Sequence, residues 1–306
     1  MKLGFLTACL PQVPLEQIVP WAAGQGFETL ELAAWPYDSS RDYQASHVRA
    51  ESFTRDDAER VRDLLGTHGL EASAMAYYDN NLHPDRAQRE AHLAHLRKVI
   101  DAAELLGVGL VGTFVGGGTE SPDVMMKEIG VTFRPLVAYA EDRGVRLMIE
   151  NCPMDNWVTT GRPGNYAYSP ELWDALFNEV PSESFGLNFD PSHLYWLGID
   201  HERAARDYAS RIFHAHAKDT ELLEDGLYRY GRVWRQLDAD PWKSGWWRYR
   251  MPGRGAIDWG SFIATLKAGG YDGPLSIEHE DFEFEGSEAN VKEGLALGRE
   301  HLARFA

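Results

Sequence analysis

The sequence predicts a closed (β/α)8 barrel, eight parallel strands alternating with helices. Three observations predict it. Eight short β-branched or aliphatic runs alternate with helically spaced segments from one end of the chain to the other, and such alternation demands a parallel sheet. The length, 306 residues, suits the closure of eight such units. The runner-up, a doubly wound open sheet, would place a glycine-rich phosphate turn after the first strand. This chain has Thr7-Ala8-Cys9-Leu10-Pro11 there, with no GxGxxG.

The candidate strands are Leu3-Ala8, Thr29-Ala33, Glu71-Ala76, Leu110-Val115, Arg146-Glu150, Phe185-Phe189, Ile212-Ala217 and Pro274-His279. Helical spacing predicts helices over Pro14-Gly24, Thr54-His68, Arg86-Leu106, Asp123-Arg143, Ser169-Val180, Asp258-Gly269 and about Ser287 to Phe305. Thr54 ahead of Arg55-Asp56-Asp57 is a start signal, and Gly66, Gly69, Gly107, Gly144 and Gly269-Gly270 are stop signals. No fixed-period repeat, low-complexity stretch or Ser/Gly linker divides the chain, so residues 1–306 read as one domain. Two connections are long, Asn151-Tyr168 and Lys218-Ile257, and long βα loops of a barrel lie on its catalytic face. The second is dense in aromatics and arginines, among them Tyr228, Tyr230, Trp234, Trp242, Trp246, Trp247 and Tyr249. It is read as a loop packed on itself or on a neighbouring subunit, or as a lid or sugar-stacking wall.

Lys plus Arg number 30 against 47 Asp plus Glu, a formal net charge of -17. That excess repels phosphate backbones and anionic membranes, so nucleic-acid and membrane partners are not expected. Two cysteines, Cys9 and Cys152, provide no disulfide framework, and neither a transmembrane run nor a full signal-peptide pattern is found. A cytoplasmic setting is the expectation.

The polar residues fall at informative places. Glu150 ends the fifth strand, Asp190 follows the sixth with His193 three residues on, His214 and His216 lie in the seventh, and Glu278 ends the eighth. Strand side chains alternate, so His214 and His216 share a face, as do Ser276 and Glu278. If those faces point inward, four consecutive strands bring Glu150, Asp190, His216 and Glu278 to one rim. Isolated buried charges there are disfavoured, and a divalent cation relieves the cost. Three carboxylates and one imidazole are mostly hard oxygen ligands. They suit Mn2+, Mg2+ or Co2+ better than a closed structural zinc site and leave positions open for substrate or water. Taken singly, each acid also reads as an N-cap or salt-bridge partner, and a barrel histidine as a satisfied core residue.

His193 reads as a further ligand, a substrate contact or the opening of a turn, and His214 as a residue deeper in the barrel. Lys218, in phase with His216, would orient an oxyanion or be a solvated lysine after a strand. Glu31, in the second strand, is a candidate for substrate hydroxyls. Arg250 and Arg254 are candidates for a carboxylate, phosphate or carbonyl of the substrate. Gly116-Gly117-Gly118 reads as a flexible turn or a phosphate cradle.

Several runs carry a family resemblance. They are Glu150-Asn151, Asp190-Pro191-Ser192-His193, His214-Ala215-His216-Ala217-Lys218-Asp219, Pro252-Gly253-Arg254-Gly255 with Asp258-Trp259, and Ser276-Ile277-Glu278-His279-Glu280-Asp281. With them the chain resembles the xylose isomerase-like TIM-barrel superfamily along essentially its whole length. The superfamily includes sugar (phosphate) isomerases and epimerases, inositol-catabolism enzymes and endonuclease IV-type enzymes.

The resemblance implies that Glu150, Asp190, His216 and Glu278 bind one divalent metal, that Glu150 and Glu278 act as acid/base groups on opposite sides of a sugar, and that His193 contacts substrate or a second metal. Mn2+ is the expected ion, with Mg2+, Co2+ or Zn2+ as alternatives. A metal chelated by a keto-sugar would stabilise an enediolate while a carboxylate removes the C–H proton. Isomerase or epimerase is the leading reading. The alternative is a lyase acting on 3-keto-glycosides, like C-glycoside deglycosidases. A homo-oligomer is expected, joined by a small partner subunit under the lyase reading. An endonuclease IV-like activity is disfavoured by the charge and by the lack of a clear early histidine pair, and a non-catalytic sugar-binding barrel is a further alternative.

Overall fold

In a computed structural model, residues 1–37, 45–154, 160–232, 237 and 245–306 are described. The barrel strands are β1 (Leu3–Leu6), β2 (Thr29–Ala33), β3 (Glu71–Ala76), β4 (Leu110–Thr113), β5 (Arg146–Glu150), β6 (Phe185–Phe189), β7 (Ile212–Ala217) and β10 (Leu275–Ile277). Two further strands, β8 (Asp219–Leu222) and β9 (Trp247–Arg250), lie outside the barrel. The barrel closes in the order β1-β10-β7-β6-β5-β4-β3-β2, with each neighbouring pair parallel. The predicted (β/α)8 barrel is therefore the fold. Because the sheet is covered on both faces, its strands read as nearly continuous buried runs such as Leu-Met-Ile and Phe-Gly-Leu-Asn-Phe.

The helix signals work locally, except that Gly66, read as a stop, lies inside the Arg55–Thr67 helix. Thr54 and Asp57 close a reciprocal capping box on the Arg55–Thr67 helix. Asp85, Asp258 and Ser287 each accept a backbone N–H of the helix that follows. Gly107 ends Arg86–Leu106 at φ 78°, where a Cβ would be strained.

Some boundaries differ from those expected. β1 stops at Leu6 because Thr7–Cys9 turns into a 3-10 helix, and β4 stops at Thr113. β10 ends at Ile277, and one step later the Glu278 N–H to Ala217 carbonyl contact has stretched to 3.4 Å. Among the described residues, the long connection after β7 carries regular elements of its own. Asp219–Leu222 and Trp247–Arg250 pair as an antiparallel ribbon, with a short helix, Glu224–Tyr230, after the first strand. Trp246 and Trp247 are buried against Trp196 of the Pro191–Leu197 helix, with Leu222, Leu227 and Tyr249 of the loop beside them, so the loop packs on this helix as well as on itself. Trp234 and Trp242 lie outside the described residues.

Candidate active site

Strand alternation and register build the site. Alternation along β7 turns both His214 and His216 inward, and His216 pairs in register with Ser276 of β10. On the other side of β7, Asn188 of β6 sits opposite His214 and also opposite Glu150 of β5. The register slips between Leu30 and Glu31 on β2 and between Leu187 and Asn188 on β6. Such irregularities re-aim side chains, and here each immediately precedes an inward polar residue.

At the mouth, ligand atoms of Glu150, Asp190, His216 and Glu278 all lie within 4.8 Å of one another. His216 Nδ1 is 3.3 Å from Glu150 Oε1 and 3.1 Å from Glu278 Oε2. Asp190 divides its labour. Oδ1 accepts the Ser192 N–H at 2.8 Å and caps the Pro191–Leu197 helix. Oδ2 is buried and accepts no hydrogen bond from the described residues, although His193 Nε2 and Lys218 Nζ lie 3.2 and 3.3 Å away. A buried carboxylate oxygen with an uncommitted lone pair, facing two more carboxylates and an imidazole nitrogen, is the donor set of a divalent cation with open positions. The residues fit a divalent cation.

Lys218 is also here. Its stem is buried and Nζ reaches Glu278 Oε2 at 2.6 Å and Glu280 Oε2 at 2.9 Å, so it is not a solvated lysine. Burial raises Glu280 to about 7 despite the nearby ammonium. His193 is fully buried, with Nε2 3.3 Å from Glu150 Oε1 and Nδ1 2.8 Å from the Tyr249 hydroxyl.

Glu31 is placed differently from the expectation of contact with substrate hydroxyls. It lies fully buried beneath His216, with Oε2 2.9 Å from His216 Nε2 and 3.0 Å from Ser276 Oγ, while Oε1 accepts the Tyr78 hydroxyl at 2.6 Å. Its oxygens are thus committed within the protein, in the manner of a carboxylate that orients a metal-binding imidazole through the far ring nitrogen. Tyr78 can reach it because Gly112 on β4 has no Cβ, which would collide with the phenol. His214 indeed lies deeper, donating from Nδ1 to Asn188 Oδ1 at 2.9 Å and meeting Ser73 Oγ at 3.2 Å. Burial lowers its pKa to about 4, keeping it neutral.

Arg250 and Arg254 are not brought into the cluster. Arg250 pairs with Asp281 at 3.1 Å and Glu283 at 2.8 Å, and Arg254 with Glu283 at 2.9 Å. Of the three glycines, Gly116 and Gly117 already donate their amides to Asn165 Oδ1 and Asn80 Oδ1, which a phosphate would need. Tyr78, Asn188 and Glu280 join the site without having been assigned to it from the sequence, and Tyr249, named only among the aromatics of the long loop, joins it as well. Asn188 and Glu280 had a signal, since each lies two residues from a candidate ligand, in phase with it. Tyr78 had none.

Among the described residues, no helix is long and apolar enough to cross a membrane. A family model described as the xylose isomerase-like TIM barrel matches residues 19–301. The chain is 27% identical over 299 residues to YfiH, an uncharacterized protein of Bacillus subtilis, with 92% of this chain and 93% of that one covered. It is 25% identical over 286 residues to an inosose isomerase of Bacillus velezensis, covering 91% and 88%. It is also 25% identical over 290 residues to a 3-dehydroshikimate dehydratase of Pseudomonas aeruginosa, covering 90% of this chain but 41% of that longer protein. Among solved structures, the IOLI protein with a binding zinc atom shares the fold at a TM-score of 0.72 and 19% identity, covering 100% and 99%.

Proposed function

Because the chain belongs to the xylose isomerase-like TIM barrel family, we propose that it is a divalent-metal-dependent enzyme that moves a proton beside the carbonyl of a sugar or keto-sugar, an isomerase or epimerase. The observation that carries this reading is the set of four donors within 4.8 Å at the barrel mouth, one of them the uncommitted Oδ2 of Asp190. Glu150, Asp190, His216 and Glu278 would hold the cation, and their oxygen-rich set favours Mn2+. When bound, it supplies Lewis acidity toward adjacent carbonyl and hydroxyl oxygens.

The chain's own groups do the rest. Glu150 comes from β5 and Glu278 from the end of β10, and β6 and β7 separate those strands around the ring. One carboxylate takes the C–H proton and the other can return it from a different side, which permits epimerisation. Return by the same carboxylate to the neighbouring carbon gives isomerisation. Lys218 offers its ammonium to the developing oxyanion, and His193 a ring N–H to a substrate oxygen. Glu31 holds His216 from beneath.

A second reading, a lyase, uses the same proton abstraction followed by loss of a group β to the carbonyl, with a 3-keto-glycoside or a dehydroshikimate-like acid as substrate. The dehydratase relative favours keeping it. In either case the protein would work as one cytoplasmic domain within a homo-oligomer.

The test begins with metal analysis of wild type and Glu150→Gln. Ketohexoses, inososes and 3-keto-glycosides are then incubated in D2O with and without Mn2+. Metal-dependent deuterium uptake into a recovered sugar or its epimer supports the isomerase reading. Release of water or aglycone without epimers moves the assignment to the lyase, and wild type that takes up no metal removes both.

A further inference from the structure

The ribbon after β7 and the helix after β6 mesh side chain by side chain. Pro191–Leu197 presents His193 and Trp196 three residues apart on one face. β9 presents Trp247 and Tyr249 two residues apart on one side of the ribbon. Trp196 stacks on Trp247 with ring centroids 4.6 Å apart and planes 3° from parallel. Beside them Tyr249 meets His193 edge to face, with centroids 5.4 Å apart and the hydroxyl 2.8 Å from Nδ1. Trp247 packs on Tyr249 at 4.5 Å, and Lys218 Nζ lies 4.4 Å from the centre of the phenol ring. The tyrosine is therefore gripped by an indole, an imidazole and an ammonium, so its hydroxyl is fixed in place.

With the Lys218 ammonium 3.3 Å from Asp190 Oδ2 and a divalent cation in the same cluster, a further positive charge on His193 is disfavoured, so its imidazole is neutral. It then has one donor and one acceptor nitrogen, and the partner of one nitrogen decides the state of the other. His193 Nε2 faces Glu150 Oε1 at 3.3 Å and Asp190 Oδ2 at 3.2 Å. Ionised carboxylates only accept, so a bare lone pair on Nε2 would point at two anions. The proton belongs on Nε2, and Nδ1 then accepts from the Tyr249 hydroxyl.

Resting on the metal-centre reading above, we propose that Tyr249 is a positioning residue that locks His193 in its Nε2–H form, so that His193 enters the pocket as a hydrogen-bond donor to substrate and not as an additional metal ligand. The lone pair a cation would need is absent from Nε2, and the phenol covers the one on Nδ1. The ribbon thereby sets the chemistry of a residue on a different element.

The experiment uses full-length wild type, Tyr249→Phe and His193→Gln, labelled with 15N-histidine and loaded with Zn2+, which is diamagnetic. Long-range 1H–15N spectra report the protonation of each ring nitrogen, and His193→Gln assigns the resonance. Wild type is expected to show His193 unprotonated at Nδ1. In Tyr249→Phe that resonance shifts toward mixed tautomers, while Zn2+ affinity stays within about threefold, since no ligand is touched. His193 protonated at Nδ1 in wild type overturns the proposal, and needs no variant to be seen. An unchanged spectrum in Tyr249→Phe overturns it too, as does a loss of Zn2+ affinity beyond about 100-fold in His193→Gln. Failure of wild type to bind Zn2+ at all counts against the metal centre, and the His193 tautomer still judges Tyr249 separately.

Discussion

Two buried polar clusters lie one behind the other in this barrel, and they are built in opposite ways. The deeper one contains Glu31, Tyr78, Asn188, His214 and Ser276. It closes on itself, with Tyr78 donating to Glu31 and Asn188 Nδ2 meeting the Tyr78 hydroxyl at 2.6 Å, while His214 Nδ1 and Ser276 Oγ find side-chain acceptors. The cluster at the mouth gathers Asp190, Glu278 and Glu280 around the Lys218 ammonium, sets Glu150 against His193 and His216, and leaves Asp190 Oδ2 without a hydrogen bond among the described residues. Both contain groups close enough to hold a cation, since Glu31, His214 and His216 also lie within 4.8 Å of one another. Proximity of donors is therefore a poor guide by itself. A metal site needs lone pairs that the protein has not already used, and only the cluster at the mouth has them.

His216 belongs to both clusters, with one ring nitrogen in each, so its removal gives the largest expected effect. In His216→Ala, Zn2+ affinity should fall by more than about 100-fold, and the buried Glu31 carboxylate loses its charged partner at a cost of about 3–5 kcal/mol. Metal titration and urea unfolding read the two losses separately. Retained metal affinity would break the comparison.

Acid unfolding resolves two members of the deeper cluster next. Burial holds His214 at about 4 against an ordinary 6.5, so between these pH values the unfolded chain binds the extra proton. Stability from this residue is complete above pH 6.5 and drains away as pH falls toward 4, by ~3 kcal/mol over the whole window. Glu31 behaves otherwise. Burial works to raise it, but the His216 and His214 charges pull it to about 2, so its contribution holds above pH 4.5 and is lost only below. In His214→Asn, urea midpoints at pH 7 and pH 4.5 should draw closer together than in wild type. An undiminished gap would assign the acid sensitivity elsewhere.

Glu31→Gln tests whether the deeper cluster serves the one at the mouth. The amide preserves shape and still offers an acceptor to His216 Nε2, but it carries no charge to raise the basicity of the imidazole. Metal affinity should fall about 10- to 100-fold, less than for His216→Ala. An unchanged affinity in a titration would mean that the deeper cluster serves the fold alone.

The barrel and the mouth cluster were legible in the sequence for the same reason. Period-two alternation fixes which face each side chain occupies, and Glu150, His216 and Glu278 sit at matching ends of runs whose type is unmistakable, with Asp190 one step beyond its own. The ring order then brings them together without any loop having to be predicted. Glu31 was located but given the wrong neighbours, because its partner Tyr78 follows another strand and reaches it only through the gap left by Gly112. The ribbon was not legible at all. Its pairing joins Asp219–Leu222 to Trp247–Arg250 across a long insertion, and no local pattern states that register. The position of Tyr249 against His193 was hidden for that reason.

The arginines complete the comparison from outside, where the smallest effect is expected. In the sequence Arg250 and Arg254 look alike, two guanidiniums in a loop on the catalytic face. In the fold they differ. Arg250 is buried and satisfies the buried Asp281 carboxylate, whereas Arg254 and its partner Glu283 are 40% and 43% exposed. An exposed pair loses most of its attraction to solvent screening and side-chain entropy. Arg254→Ala should therefore leave Zn2+ affinity unchanged and shift the urea midpoint only slightly. If the variant instead lost the metal, or lost turnover with the metal still bound, Arg254 would have to reach the pocket during the reaction, and the boundary drawn around the cluster at the mouth would have to move outward to include the loop.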